Sequence, residues 1–269
     1  MRLCSIASGS SGNCIYVGSE ATHLLVDVGI SGKKAEAGLN SLGLTGRDLD
    51  GILVTHEHMD HVAGLGVMAR KYEVPIYATT GTLEEIQKMG NLGKINPALF
   101  REVKEDVKLT IKDLTVNPMK ISHDAAQPVG YRIAYGDKKA GICTDLGVYN
   151  DYTVECLKGM DALLLEANHD VKMLQVGPYP YYLKQRILGD RGHLSNENAG
   201  RLLSSILHDN LKHIFLGHLS KENNMPELAR QQTLSALRGL PACEVLVAPK
   251  EHMEHPVSFG EEKLFSLSG

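Results

Sequence analysis

The chain has 269 residues, 43% of them hydrophobic, which suits one large α/β domain or two small ones and supplies a sizeable core without disulfides. Lysine and arginine total 28 against 32 aspartates and glutamates, a formal net charge of -4; this excludes a globally basic nucleic-acid glove and leaves room only for a local basic patch. The five cysteines, Cys4, Cys14, Cys143, Cys156 and Cys243, show no C-x-x-C spacing, so they read as reduced and mostly buried in a cytoplasmic chain.

Taken in order, short apolar runs alternate with helical patterns, as in stacked βα units. Strands are predicted over 3–7, 14–17 and 23–28, a helix over 31–42, a strand over 51–55 and a helix over 62–72. A strand over 76–78, a helix over 80–89 and a bent hairpin over 109–121 follow. Strands over 129–134, 140–144 and 161–166 frame a helix over 151–158, and helices over 181–188 and 195–207 lead to a strand over 213–216, a helix over 226–238 and a strand over 244–248. Ser195 and Thr80 suit helix starts: Glu197 and Asn198 follow the first, and Thr82, Glu84 and Glu85 the second. The pattern describes two packed sheets, each covered by helices, in a single α/β domain spanning 1–269. The start turns polar and Gly/Ser-rich within eight residues, unlike a signal peptide, and no run approaches the ~18 apolar residues of a membrane span.

Where the twelve histidines cluster carries the chemistry. His56, Glu57, His58, Met59, Asp60 and His61 directly follow the strand at 51–55. By alternation His56 and His58 project to one side, while Asp60 and His61 reach a second position. Four such side chains together need a partner charge. His123, Asp145 and His218 each follow a predicted strand, and ligands gathered from separate strand ends are how α/β sites are built.

At these residues the chain resembles the metallo-β-lactamase-fold superfamily. The resemblance implies a four-layer αββα sandwich and two divalent ions: His56, His58 and His123 on one, Asp60, His61 and His218 on the other, Asp145 bridging. It also supplies Asp27 as the early acidic residue that orients the ligand loop. A mixed His/carboxylate set suits zinc, manganese or iron, and a bridged pair ~3.5–4 Å apart can hold a hydroxide as nucleophile.

Fold and ligands do not name a substrate. True lactamases typically carry Cys where this chain has Asp145, the stretch between Asp145 and His218 has no room for the inserted domain of β-CASP nucleases, and the long arm of tRNase Z is not evident. That stretch holds Glu166 and His193, which look like the phosphodiesterase pair in which the carboxylate steadies a histidine that protonates the leaving oxygen. With Asp60 they form the expected catalytic set. His169 is open between a substrate contact and a structural hydrogen bond.

The chain resembles the YycJ (WalJ) family throughout its length, through residues 8–13, the HEHMDH block, EANHD at 166–170, YPYYLKQRILGDRGHLSNEN at 179–198 and GHLSKENN at 217–224. The resemblance implies a 5′-to-3′ DNA exonuclease linked to mismatch repair, with DNA bearing a 5′ end as substrate and repair proteins as partners. Tyr182, Lys184, Arg186 and Arg191 offer a stacking surface and phosphate-pairing charge, although Tyr182, Ile187 and Leu188 equally suit the core face of a helix. Ser8, Ser10, Ser11 and Asn13 can cradle a terminal phosphate, or form only a Ser/Gly hairpin turn. His252 and His255 read as surface residues, and Asn223 and Asn224 as fixing the loop after His218. A small-molecule hydrolase, either a cyclic phosphodiesterase or a thioesterase of the glyoxalase II type, is the alternative. Nothing in the sequence sets the oligomeric state.

Overall fold

A computed structural model describes residues 1–237, 243–248 and 257–259. His252, His255 and Arg238, the last residue of the helix expected over 226–238, lie outside the described residues.

The first sheet is built from β1 (Arg2–Ala7), β2 (Cys14–Gly18), β3 (His23–Val26), β4 (Gly51–Leu53), β5 (Ile76–Ala78) and β6 (Phe100–Glu102). The second contains β7 (Leu109–Ile111), β8 (Leu114–Lys120), β9 (Val129–Tyr135), β10 (Lys138–Cys143), β11 (Ala162–Glu166), β12 (His213–Gly217) and β13 (Glu244–Val247). A short β14 (Val257–Ser258) returns to the first sheet beside β1, giving the orders β14-β1-β2-β3-β4-β5-β6 and β13-β12-β11-β10-β9-β8-β7. β1, β2 and β3 pair antiparallel and β3 through β6 parallel. In the second sheet β7 through β10 pair antiparallel and β10 through β13 parallel.

Strand alternation sorts the side chains into layers. Leu3, Ile15, Val17, Leu24, Val26 and Leu53 face Val116, Tyr131, Ile133, Ile142, Leu164 and Phe215 between the sheets. From the same strands Cys4, Ile6, Tyr16, Leu25 and Ile52 face the outer layer of α1 (Gly32–Ser41) and α3 (Leu65–Tyr72). Leu163, Leu165, Ile214 and Leu216 pack outward in a third cluster with Ala199, Leu202 and Leu203 of α8 (Asn196–Ile206) and Ala229 of α9 (Pro226–Ala236). Each fully buried Leu, Ile or Val contributes about 1.5–3 kcal/mol, so the sandwich is held from three apolar layers and not from one. This is the expected αββα arrangement.

Three local departures position the site. The strand expected over 23–28 stops at Val26, because Asp27 turns into the left-handed region at φ 61°. The helix expected over 62–72 is divided into α2 (Met59–Val62) and α3, with Gly64 between them. At Gly64 a Cβ would lie 2.2 Å from the Ile30 carbonyl oxygen, and at Gly29 one would lie 1.6 Å from the Asp60 carbonyl oxygen. Close backbone approach therefore dictates the break. The helix expected at 80–89, α4 (Thr80–Lys88), has Thr79 at its N-cap position without a side-chain cap hydrogen bond and carries no acid in its first turn. The Thr79 hydroxyl donates instead to the Gln127 carbonyl at 2.7 Å. Ser195 caps α8 as expected, accepting from the Asn198 N–H. The remaining elements are α5 (Asp151–Leu157), α6 (Val171–Val176) and α7 (Tyr181–Leu188); α6, β6 and β14 had no counterpart in the sequence reading. Among the described residues no helix is long and apolar enough to cross a membrane.

Candidate metal centre

Because β3 and β4 run parallel, as do β10, β11 and β12, their carboxyl ends reach one edge of the sandwich. Asp27 follows β3, the His56–His61 loop follows β4, Asp145 follows β10, Glu166 ends β11 and His218 follows β12. β8 is antiparallel to β9 and β9 to β10, so the end of β8 delivers His123 to the same edge.

The His56–His61 loop is anchored by one buried carboxylate. Asp27 accepts from the Thr55 N–H and hydroxyl, both at 2.8 Å, and from His61 Nδ1 at 2.7 Å. That bond places the His61 proton on Nδ1 and leaves Nε2 as a lone pair. The Thr55 hydroxyl also lies 3.1 Å from His56 Nδ1. Thr55 escaped the sequence reading, although its place between the strand and His56 was the available signal.

Two groups of donor atoms converge. His56 Nε2 lies 3.1 Å from His58 Nδ1, which lies 3.3 Å from His123 Nε2. His218 Nε2 lies 3.3 Å from Asp60 Oδ2, and His61 Nε2 lies 3.6 Å from the same oxygen. Asp145 joins the groups, with Oδ2 3.1 Å from His61 Nε2 and Oδ1 3.6 Å from both His123 Nε2 and His218 Nε2. Ligands at ~2.0–2.2 Å from a tetrahedral ion stand about 3.3–3.6 Å apart, so these spacings are those of donors around a cation. The His56–His58–His123, His56–His61–Asp145 and Asp60–His61–His218 sets each gather within 4.8 Å.

The electrostatics fit a divalent cation. Asp145 is 1% exposed, and its Oδ2 has no hydrogen-bond partner although the His61 lone pair faces it. An unpaired buried carboxylate oxygen against a lone pair is repulsive unless positive charge stands between them. Burial alone would raise the Asp145 pKa, yet His218, the first of the groups that oppose this, holds it well below the usual carboxylate range. Burial opposes protonation of His218, but Asp145, Asp60 and Glu166 raise its pKa to about 10. His56, buried and beside His61, is pushed well below the ordinary imidazole value. The cluster thus recruits positive charge at its carboxylates and keeps other imidazoles neutral, which is the pattern a metal exploits.

Glu166 is fully buried. Its Oε1 accepts from His193 Nδ1 and His218 Nδ1, both at 2.8 Å, and its Oε2 from the N–H groups of Leu146 and Leu194 at 2.8 and 3.0 Å. Burial would raise its pKa, but His193 and His218 bring it down to about 2. His193 precedes α8, has its side chain 21% exposed, and stands with Nδ1 3.6 Å from Asp145 Oδ1.

The other expected residues divide. Ser8 and Asn13 are fully buried: Ser8 Oγ accepts from the His218 N–H at 2.8 Å, and Asn13 Nδ2 reaches the Gly9 and Asp60 carbonyls and His61 Nε2. Both brace the site from inside and are not open to a terminal phosphate, whereas Ser10 and Ser11 are exposed. Tyr182 is 74% exposed while Ile187 is buried, so the core face of α7 is Ile187 and not the tyrosine. Lys184 Nζ donates to the Gln175 carbonyl at 2.8 Å, and Arg186 Nε pairs with Asp124 at 2.6 Å. Arg191 is exposed and makes no ion pair among the described residues. His169 is buried, with Nδ1 3.3 Å from Asn168 Oδ1; burial lowers its pKa to about 4. Its carbonyl accepts from the Asn196 N–H, while its Nε2 has no hydrogen-bond partner among the described residues. Asn224 ties the loop after His218 to the Ala167 and Asn168 carbonyls.

A family model described as a β-lactamase superfamily domain matches residues 22–212. The chain is 44% identical over 233 residues to exodeoxyribonuclease YycJ of Bacillus anthracis, covering 86% of this chain and 87% of that one. It is 42% identical over 232 residues to exodeoxyribonuclease WalJ of Streptococcus pneumoniae, covering 86% of each. The metallo-β-lactamase fold protein YhfI of Bacillus subtilis superposes with a TM-score of 0.68 at 19% identity over 94% of this chain and 99% of that one. The short form of human tRNase Z superposes at 0.66 and 18% over 97% and 100%; these two likenesses concern the fold. The chain belongs to the β-lactamase superfamily and, within it, to the family of the YycJ and WalJ exodeoxyribonucleases.

Proposed function

We propose that the protein is a metal-dependent phosphodiesterase that removes nucleotides from DNA in the 5′-to-3′ direction. The observation that carries this reading is the Glu166 carboxylate held between His193 and His218 at 2.8 Å to each, because it couples a ligand histidine to a second histidine free to move a proton. A thioester centre, whose thiolate leaves without a proton, has no need of that second histidine. Kinship with two exodeoxyribonucleases over most of the chain supports DNA as the polymer.

In this reading His56, His58 and His123 would hold one divalent ion, Asp60, His61 and His218 a second, and Asp145 would serve both. Zinc, manganese or iron bound there would supply Lewis acidity and an activated water. The chain's own groups do the rest. Asp27 fixes the His61 tautomer, and Asp60, with its side chain 26% exposed, orients the attacking water. Glu166 keeps the His193 proton on Nδ1 and steadies the imidazolium, so that Nε2 carries the proton given to the leaving oxygen. A cytoplasmic setting beside mismatch-repair proteins belongs to the same proposal.

The test is degradation of 3′-labelled linear duplex DNA bearing a 5′-phosphate or a 5′-hydroxyl, with manganese or zinc, beside an Asp145→Ala control. Stepwise loss from the 5′ end that vanishes in the control is the expected result. No shortening by protein shown to hold two metals would transfer the assignment to a small phosphodiester or thioester.

A further inference from the structure

Two cavities border the ligand cluster. One, of about 160 Å³, includes His193, Ser10 and Arg186 in its wall; the other, of about 420 Å³, includes His123, Lys120 and Arg191. Sites for compact ligands run from about 300 Å³ upward, a volume that the larger cavity reaches and the smaller does not. The smaller cavity's cation is already committed, with Arg186 on Asp124 at 2.6 Å. The larger cavity differs in both respects. Lys120 and Arg191 face a single acid in its lining, Glu105, and among the described residues neither cationic side chain has an ion-pair or hydrogen-bond partner.

The walls of the larger cavity are fixed. Glu57 Oε1 accepts from the Ala126 N–H at 2.8 Å, Gln127 Oε1 from the Gly81 N–H at 3.0 Å, and the Asp190 carbonyl from the Ser122 hydroxyl at 2.8 Å. Tyr152 accepts from the Lys120 N–H at 3.0 Å and donates to Asp106 at 2.8 Å, so its ring is a rigid wall. A preformed cleft with two unpaired cations, an aromatic wall and one end at the ligand cluster is built for an extended polyanion.

We propose that this cleft carries the DNA strand that remains after each cleavage, with Lys120 and Arg191 pairing phosphates beyond the scissile one. The proposal rests on the nuclease reading above. In each turn one water adds to phosphorus, the bond from phosphorus to the departing nucleotide's oxygen breaks, and that oxygen takes the His193 proton. The fragment that keeps the phosphoryl group stays in the cleft on the His123 side, and the released unit departs past His193.

The experiment measures kcat/KM of the metal-loaded full chain on 5′-phosphorylated linear DNA across a salt series. Lys120→Gln and Arg191→Gln are each expected to raise KM and to reduce the slope of log kcat/KM against log salt by about 1. Lys138→Gln, at the start of β10 and away from the cleft, is the comparison for a generic loss of one positive charge. Val148→Trp, at a cleft residue 45% exposed, fills the path without touching the core and is expected to raise KM several-fold. Unchanged slopes in Lys120→Gln and Arg191→Gln, or slope losses found instead in Lys184→Gln and Arg186→Gln, would overturn the cleft and put the strand over α7. Degradation with such slopes refutes the cleft alone, whereas wild-type protein that degrades no DNA refutes the nuclease reading and the cleft with it.

Discussion

Glu166→Gln is the most incisive single change, because it alters one atom of a group that answers four donors. The two imidazole N–H groups meet Oε1 and the two backbone N–H groups meet Oε2. A glutamine amide has only one oxygen, so in either orientation its NH₂ faces two N–H donors in a site with no solvent. A hydrogen bond to a charged acceptor is worth about 1.5–3 kcal/mol, and breaking a buried charged arrangement costs about 3–5 kcal/mol. A loss on the order of 3 kcal/mol is therefore expected. At roughly 2–4 °C per kcal/mol for a chain of this size, the melting midpoint should fall by about 6–12 °C. Activity should fall further than stability, because the histidine that moves the proton also loses its orienting carboxylate; general acid catalysis contributes about 10²–10⁴-fold. Thermal melts followed by circular dichroism, with and without metal, and turnover of 5′-phosphorylated DNA well below the midpoint read the two effects separately. A variant that melts within ~2 °C of the parent and keeps half its turnover would refute the claim that the carboxylate serves four donors and a proton-transfer role.

Other consequences are equally concrete. Asp145→Ala should leave the fold intact by circular dichroism, abolish hydrolysis and reduce bound metal measured by elemental analysis. His193→Ala should lower kcat by about 10²–10⁴-fold while metal content stays at the parent's level, since this residue is offered as a proton donor and not as a ligand. Among the five cysteines, burial lifts the Cys4 thiol to about 12 and also raises Cys14 and Cys143, while Cys156 is buried and Cys243 half-buried. A thiol reagent should therefore label at most Cys243 in the native protein and all five after denaturation. Asp113 accepts from the Ser19 hydroxyl at 2.8–2.9 Å and from the Thr22 hydroxyl. Partial burial opposes ionisation, but these donors lower its pKa. With a lowered folded pKa, the stabilisation is present above the ordinary carboxylate value near ~4 and lost as pH falls through the folded value. The urea midpoint advantage of wild type over Asp113→Asn should hold at neutral pH and shrink once the pH falls below the ordinary carboxylate value.

Much of this site was legible in the sequence because its chemistry is local. The HEHMDH block compresses four donors into one loop, and His123, Asp145 and His218 each follow a run whose apolar pattern marks a strand. The β-branched and leucine-rich runs also give the layers, since alternation divides Leu24 and Val26 from Leu25 without further information. What stayed hidden depends on contacts between distant segments. Nothing near Ser8 announces that its hydroxyl accepts from the backbone of His218, 210 positions away. Nothing in the sequence links Lys120, at the end of β8, to Arg191, and only the fold sets the two in one cleft. Conversely, Lys184 and Arg186 read as free charges until the structure gave them the Gln175 carbonyl and Asp124.

The backbone adds a constraint that no residue pattern announces. Six non-glycine residues among those described have positive φ, and three of them are Asp27, Asp145 and His218, at 61°, 56° and 54°. Each stands where a parallel strand ends, and a left-handed residue there turns the side chain out of the strand's alternation and toward the shared edge. Holding a non-glycine residue in this region costs about 1–3 kcal/mol, so glycine would be the cheaper choice at all three positions if geometry alone mattered. The chain instead keeps an acid, an acid and a histidine, and surrounds each with fixed partners: Thr55 around Asp27, His61 beside Asp145, and Ser8 with Glu166 around His218. Strain that local sequence would avoid is thus retained where the donor atoms must meet, which ties the left-handed turns to the chemistry of the site and not to the packing of the sheets.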